Sequence, residues 1–132
     1  MGYSIASLDS LGDGYGFRKA RAALGVTAFG VNWQVYPPGT SGVHHYHDTQ
    51  DELYLVHRGT AKITVDGEEN IVEEGGLVHV EAASTRIVEN VGDGDLYVFI
   101  VGGKDGYVER DGHLVDPADL AKRQALSRGE LS

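Results

Sequence analysis

His45, His47 and Glu52 are the residues of this chain whose types and spacing bear most directly on chemistry. Side chains at i and i+2 of a strand leave from one face, so His45 and His47 project together while Tyr46 points the other way. Glu52 opens the next apolar stretch after the polar loop Asp48-Thr49-Gln50-Asp51, and a hairpin-like return sets its carboxylate opposite the imidazoles. Two imidazoles and one carboxylate with other positions open form the facial ligand set of non-haem Fe(II) oxygenases, and the set also suits Mn, Ni or Zn. The expected cofactor is a divalent transition metal, with the choice among Fe, Mn, Ni and Zn open. The competing reading, surface histidines beside an acidic loop, suits an isolated His-x-His better than this complete set.

Such ligands need rigid elements to hold them, and the pattern around them supplies strands. Apolar and polar residues alternate from about residue 16 to residue 101, cut by turn signals every eight to twelve residues, as in an all-β sandwich or barrel. The candidates are Phe17 to Leu24, Val26 to Tyr36, Val43 to His47, Glu52 to His57, Thr60 to Val65, Asn70 to Glu73, Leu77 to Val80, Thr85 to Asn90 and Leu96 to Val101. Asp66-Gly67 reads as a hairpin turn because both positions tolerate positive φ. At least eight strands and no helix longer than one turn are expected there. Leu96 to Val101 is apolar at every position, so both faces should be covered, one inside the barrel and one by a partner subunit. A homodimer is the expected assembly.

The C-terminal stretch changes character. Asp116-Pro117-Ala118-Asp119 places a capping Asp before a Pro and an acidic first turn, which predicts a short helix over about 117–126. Its narrow apolar face of Ala118, Ala121 and Ala125 suggests a lid packed on the barrel.

Composition bounds the partners. At 132 residues the chain fits one domain, residues 1–132. The formal charge of −9 and only 11 Lys and Arg argue against nucleic acid, whose phosphates need a basic surface. No cysteine is present, which removes disulfides and thiol nucleophiles. The first residues carry neither a basic region nor a signal-length apolar run, and no stretch approaches a membrane span, so a cytoplasmic protein is expected.

The order Gly39, five residues, His45, one residue, His47, four residues, Glu52, six residues, Gly59 resembles the first motif of the cupin superfamily at every defining position. The resemblance runs from about Tyr36 to Val101 and implies a double-stranded β-helix, or jelly roll, with the metal inside the barrel; the short C-terminal helix read from the capping signal lies beyond it. The second motif departs from the pattern. Gly75 and Asn90 agree at its ends, but Glu81 stands for Pro, Ala83 for Gly and Arg86 for the His that would be a fourth metal ligand.

Arg86 stays protonated and cannot ligate. Two outcomes are open: it swings away and clamps a substrate carboxylate or phosphate, or its guanidinium lies against Glu52 in place of a cation. His44, out of phase with His45, should face outward, and His79 would approach the site only if its strand were slipped. Tyr54, in phase with Glu52, is a pocket-lining candidate, and Trp33 or its neighbours Gln34 and Tyr36 should border the mouth. The substrate-binding candidates are thus Arg86, Tyr54 and Gln34. The resulting expectation is a metal-binding cupin acting on a small anionic molecule as a dioxygenase or isomerase. The alternative is a non-catalytic, metal-free barrel that binds or senses a small molecule.

Overall fold

In the computed structural model, which describes residues 2–132, the alternating stretches pair into two five-stranded sheets. The strands are β1 (Gly16–Arg18), β2 (Gly30–Tyr36), β3 (His45–His47), β4 (Asp51–Arg58), β5 (Ala61–Val65), β6 (Glu68–Val72), β7 (Leu77–Val80), β8 (Arg86–Asn90), β9 (Leu96–Gly103) and β10 (Gly112–Leu114). One sheet runs β1-β2-β9-β4-β7 and the other β10-β3-β8-β5-β6, with neighbours antiparallel throughout. β1 to β9 fill the stretch for which alternation predicts at least eight strands. The arrangement is the all-β, cupin-type jelly roll that the motif implied, with a short C-terminal helix.

Period-2 alternation decides what faces inward. Along β4, Tyr54 and Val56 are buried while Leu53 and His57 are exposed. Along β9, Leu96, Val98 and Ile100 are buried. These meet Ala61, Ile63 and Val88 of the opposite sheet in one core, where fully burying each large aliphatic side chain contributes about 1.5–3 kcal/mol.

Four local readings need correction. The strand expected over Phe17 to Leu24 stops at Arg18, and Ala20–Leu24 forms helix α1. Ala, Arg and Leu are strong helix formers, and Gly25, at φ 69°, closes the turn in the left-handed region. At 5 residues α1 slightly exceeds one turn, contrary to expectation. The strand expected from Val26 begins only at Gly30. β10, which alternation did not single out, pairs Gly112 with His47 and Leu114 with His45.

The predicted cap at the C-terminal helix is present. The Asp116 carboxylate accepts from the Ala118 amide at 2.9 Å, Pro117–Asp119 forms a 3-10 turn, and Leu120–Arg128 continues as α2. Leu126, not the alanine stripe, is the residue α2 buries; Ala118 and Ala121 are exposed. Gly16 makes this docking possible, because at φ 109° a Cβ there would sit 2.5 Å from the Leu126 carbonyl oxygen. No helix among the described residues is long and apolar enough to cross a membrane.

Candidate metal centre

β3 and the start of β4 bring His45, His47 and Glu52 together inside the barrel, with one donor atom from each lying within 4.8 Å of the others. Glu52 Oε1 stands 3.2 Å from His47 Nε2 and 3.9 Å from His45 Nε2. The far nitrogens are fixed: His45 Nδ1 lies 2.9 Å from the Val43 carbonyl oxygen and His47 Nδ1 lies 2.8 Å from Asp111 Oδ1. A proton on each Nδ1 satisfies both contacts, which turns each Nε2 lone pair toward Glu52. His47 Nε2 is buried with no hydrogen-bond partner of its own. Such an orphaned atom in a converging N,N,O set fits a divalent metal.

For His45, electrostatics support the same protonation pattern; for His47, without a metal, they favour a proton shared with Glu52. Burial lowers the His45 pKa, against the Val43 carbonyl and Glu52, and favours a neutral imidazole. For His47 burial also works against charge, but Glu52 and Asp111 outweigh it and raise the pKa. Glu52 is held below its ordinary value: burial opposes ionisation, and His47, the Tyr54 hydroxyl and His45 overcome it. Burial and the nearby Glu52 raise Tyr54, whose protonated hydroxyl donates to Glu52 Oε1 at 2.6 Å.

Asp111, just before β10, was not singled out from the sequence, yet it organises the site. Oδ1 accepts from Gln50 Nε2 at 2.7 Å as well as facing His47, while Oδ2 accepts from the Thr49 amide at 2.7 Å and the Gln50 amide at 3.0 Å. Burial alone would raise the Asp111 carboxyl, but the Gln50, His47 and Thr49 donors hold it well below the usual carboxylate range. Gly102 of β9 leaves room for this network, since a Cβ there would fall 2.6 Å from Gln50 Oε1.

A cavity of about 320 Å³ opens from the triad, lined also by Tyr54, Gln34 and Tyr36. The Tyr36 hydroxyl donates to Gln34 Oε1. Trp33 instead packs edge-on against His57 and tilted against Phe99, with ring centroids 5.3 and 4.9 Å away. His44 is half-buried and His79 is exposed opposite Leu53; neither lines the cavity.

Arg86 is not brought among them. It is fully buried and pairs across strands with His45, but its guanidinium turns to the β7–β8 connection. Nη2 donates to the carbonyls of Glu81 at 3.0 Å and Val80 at 3.4 Å, Nη1 donates to that of Ala82 at 3.4 Å, and Nε has no partner. The expected anion clamp at Arg86 therefore does not fit, because these N–H groups are committed to backbone oxygens and the residue does not line the cavity. The opposite outcome is absent too: among the described residues, the basic side chains beside Glu52 are His45 and His47, and Arg86 makes no ion pair with it.

The family profile described as "Cupin domain" matches residues 32–102. The chain belongs to the cupin family. This cupin is 27% identical over 64 residues to an uncharacterized protein of Methanocaldococcus jannaschii, a match covering 48% of this chain and 51% of that protein. It thus spans about half the length of the curated relative it matches. A cupin protein from Bacteroides fragilis superposes with a TM-score of 0.70 at 21% identity, covering 83% of this chain and 91% of that one. A cupin-superfamily sugar phosphate isomerase from Silicibacter pomeroyi gives a TM-score of 0.63 at 26% identity, covering 77% and 68%.

Proposed function

We propose that this cupin is a metal-dependent protein acting on a small anionic molecule, with His45, His47 and Glu52 as the metal ligands. The observation that carries the reading is the buried, unpartnered His47 Nε2 beside the Glu52 carboxylate at the wall of a cavity. A divalent ion held there would supply Lewis-acid or redox chemistry, which suits an isomerase or a dioxygenase. The chain's own residues do the positioning. Tyr54 holds Glu52 from one side, Val43 and Asp111 fix the two imidazoles, and the Gln34 and Tyr36 side chains present polar atoms to a ligand. Val88 and Ile100 add apolar wall beside these polar atoms. The likeness to a structure named as a sugar phosphate isomerase fits an anionic substrate.

A metal-free binding barrel is the second reading, favoured by the buried Arg86 charge directly across from His45, which repels a cation. Elemental analysis of protein purified without added metal, followed by chelation and reloading, separates the two. About one divalent ion per chain, lost in His47→Ala, is expected; no metal above background after reloading overturns the metal-dependent reading.

The same reading includes a homodimer, supported by apolar residues on the outer face of the first sheet. Leu53 and Leu77 are 39% and 64% exposed there. Light scattering at micromolar concentration is expected to give twice the chain mass, and a strict monomer refutes it.

A further inference from the structure

The cavity lining carries four cationic side chains besides the triad. These are Lys19, Arg21, Arg110 and Arg123, which come from the β1–α1 junction, α1, the segment before β10, and α2. The chain as a whole carries 11 Lys and Arg against 20 Asp and Glu, yet the lining inverts that balance, with Glu52 and Asp111 as its acidic members. Both carboxylates are already engaged: Glu52 accepts from Tyr54 and belongs to the triad, and Asp111 has His47, Gln50 and Thr49. Among the described residues, none of the four cations forms an ion pair with a carboxylate.

Leaving these cations unpaired in an acid-rich protein keeps a local positive field that an incoming anion relieves. One of them is already oriented. The Arg21 guanidinium lies over the Tyr107 ring at 4.1 Å and donates from Nη1 to the Val26 carbonyl at 3.3 Å, leaving its other N–H groups for a ligand. Position in the sheet separates Lys19 from the triad: Lys19 follows β1, and β2 and β9 stand between β1 and the β4 strand that carries Glu52, a span of about 14 Å at the usual strand spacing, whereas Arg110 adjoins Asp111 and reaches the cavity from the triad side. The wall between Lys19 and the triad is apolar, formed by Phe17, Ile100 and Leu126 among others.

We infer that the ligand is an elongated oxyanion, with its carboxylate or phosphate at Lys19, Arg21, Arg110 and Arg123, an apolar body along Phe17, Ile100 and Leu126, and a donor end toward the triad. This deepens the function proposed above and rests on it only for the donor end. The anion subsite is therefore tested in metal-free protein, where loss of the metal reading leaves the result intact.

The probes are hexanoate, hexyl phosphate, hexanol and hexylamine, which share one apolar body and differ in the terminal group, titrated calorimetrically into chelator-treated protein. At least one anion is expected to bind about tenfold more tightly than hexanol, with hexylamine weakest, and the tighter anion identifies the headgroup. Raising salt from about 0.05 M to about 0.5 M should weaken the anions and spare hexanol. Arg110→Gln combined with Arg123→Gln should abolish the preference, while His47→Ala keeps it. Equal binding of hexanol and both anions, or no binding of any probe, overturns the inference. So does a preference that survives the double variant and disappears in His47→Ala, because the anion would then sit at the triad.

Discussion

Replacing Asp111 by Asn changes almost no volume but leaves its neighbours with one acceptor too few. The carboxylate faces four nitrogens, His47 Nδ1 and Gln50 Nε2 at one oxygen and the Thr49 and Gln50 amides at the other. A carboxamide has a single accepting oxygen. If its NH2 group faces His47, the imidazole must accept at Nδ1 and carry its proton on Nε2, the atom aimed at Glu52. Loss of such an orienting partner costs about 10- to 100-fold in metal affinity, or about 1.4 to 2.7 kcal/mol. If the NH2 group faces the 48–51 loop instead, two backbone amides lose their acceptor, at about 1–3 kcal/mol each when buried and less where water reaches them. Asp111→Asn should therefore lower Zn and Mn affinity, lower the melting temperature of the chelated protein, or both. Gln50→Ala is the control: it removes one donor but leaves the His47 contact, so stability should fall while metal affinity stays within a few-fold. Calorimetric metal titration at one pH and thermal melts of the metal-free proteins measure the two quantities. Native affinity together with a native melting temperature in Asp111→Asn would refute the reasoning.

Arg86→His removes a fully buried charge across from His45 and offers a neutral imidazole, so divalent metal should bind more tightly than in the natural protein, with Arg86→Met giving a smaller gain. Equal affinities of all three proteins in parallel titrations would show that the charge is not felt at the triad. The Ser84 hydroxyl and the Thr85 amide hold the Asp66 pKa below its ordinary value. Its contribution to stability is therefore present above the unfolded pKa of about 3.9 and lost as pH falls through the lower folded value. Asn tolerates the φ of 50° at that position, so Asp66→Asn should melt below the natural protein at pH 7 and converge with it in acid; a gap constant across pH contradicts this. Ile63→Ala, at a side chain with no exposure in the core between the sheets, should cost about 2–5 kcal/mol in denaturant unfolding, and a change below about 1 kcal/mol would mean that the site collapses around the deletion.

What the sequence determined by itself was local or periodic. Alternation along Asp51–Arg58 set which side chains enter the barrel, because the strand period fixes the face of every residue once one is placed. Leu96 to Val101, apolar throughout, left its inward face to the structure. The Asp66-Gly67 turn formed as read, with φ of 50° and 82°. The His45, His47, Glu52 cluster was legible because its members lie on two successive strands. Alternation misled at Ala20–Leu24, where helix propensity and Gly25 prevailed over a short apolar pattern.

The tertiary structure alone decided the rest. Arg86 starts from the correct register position, but the nearby carbonyls of Val80, Glu81 and Ala82 capture its guanidinium, and no sequence pattern specifies where a long side chain finds its acceptors. Asp111 reaches His47 from 64 positions away because β10 adds to the edge of β3. Lys19 and Arg123 line one cavity from opposite ends of the chain because α2 docks on β1 through Gly16. Such contacts depend on which elements close the barrel, and that long-range pairing leaves no periodic trace in the residues that make it.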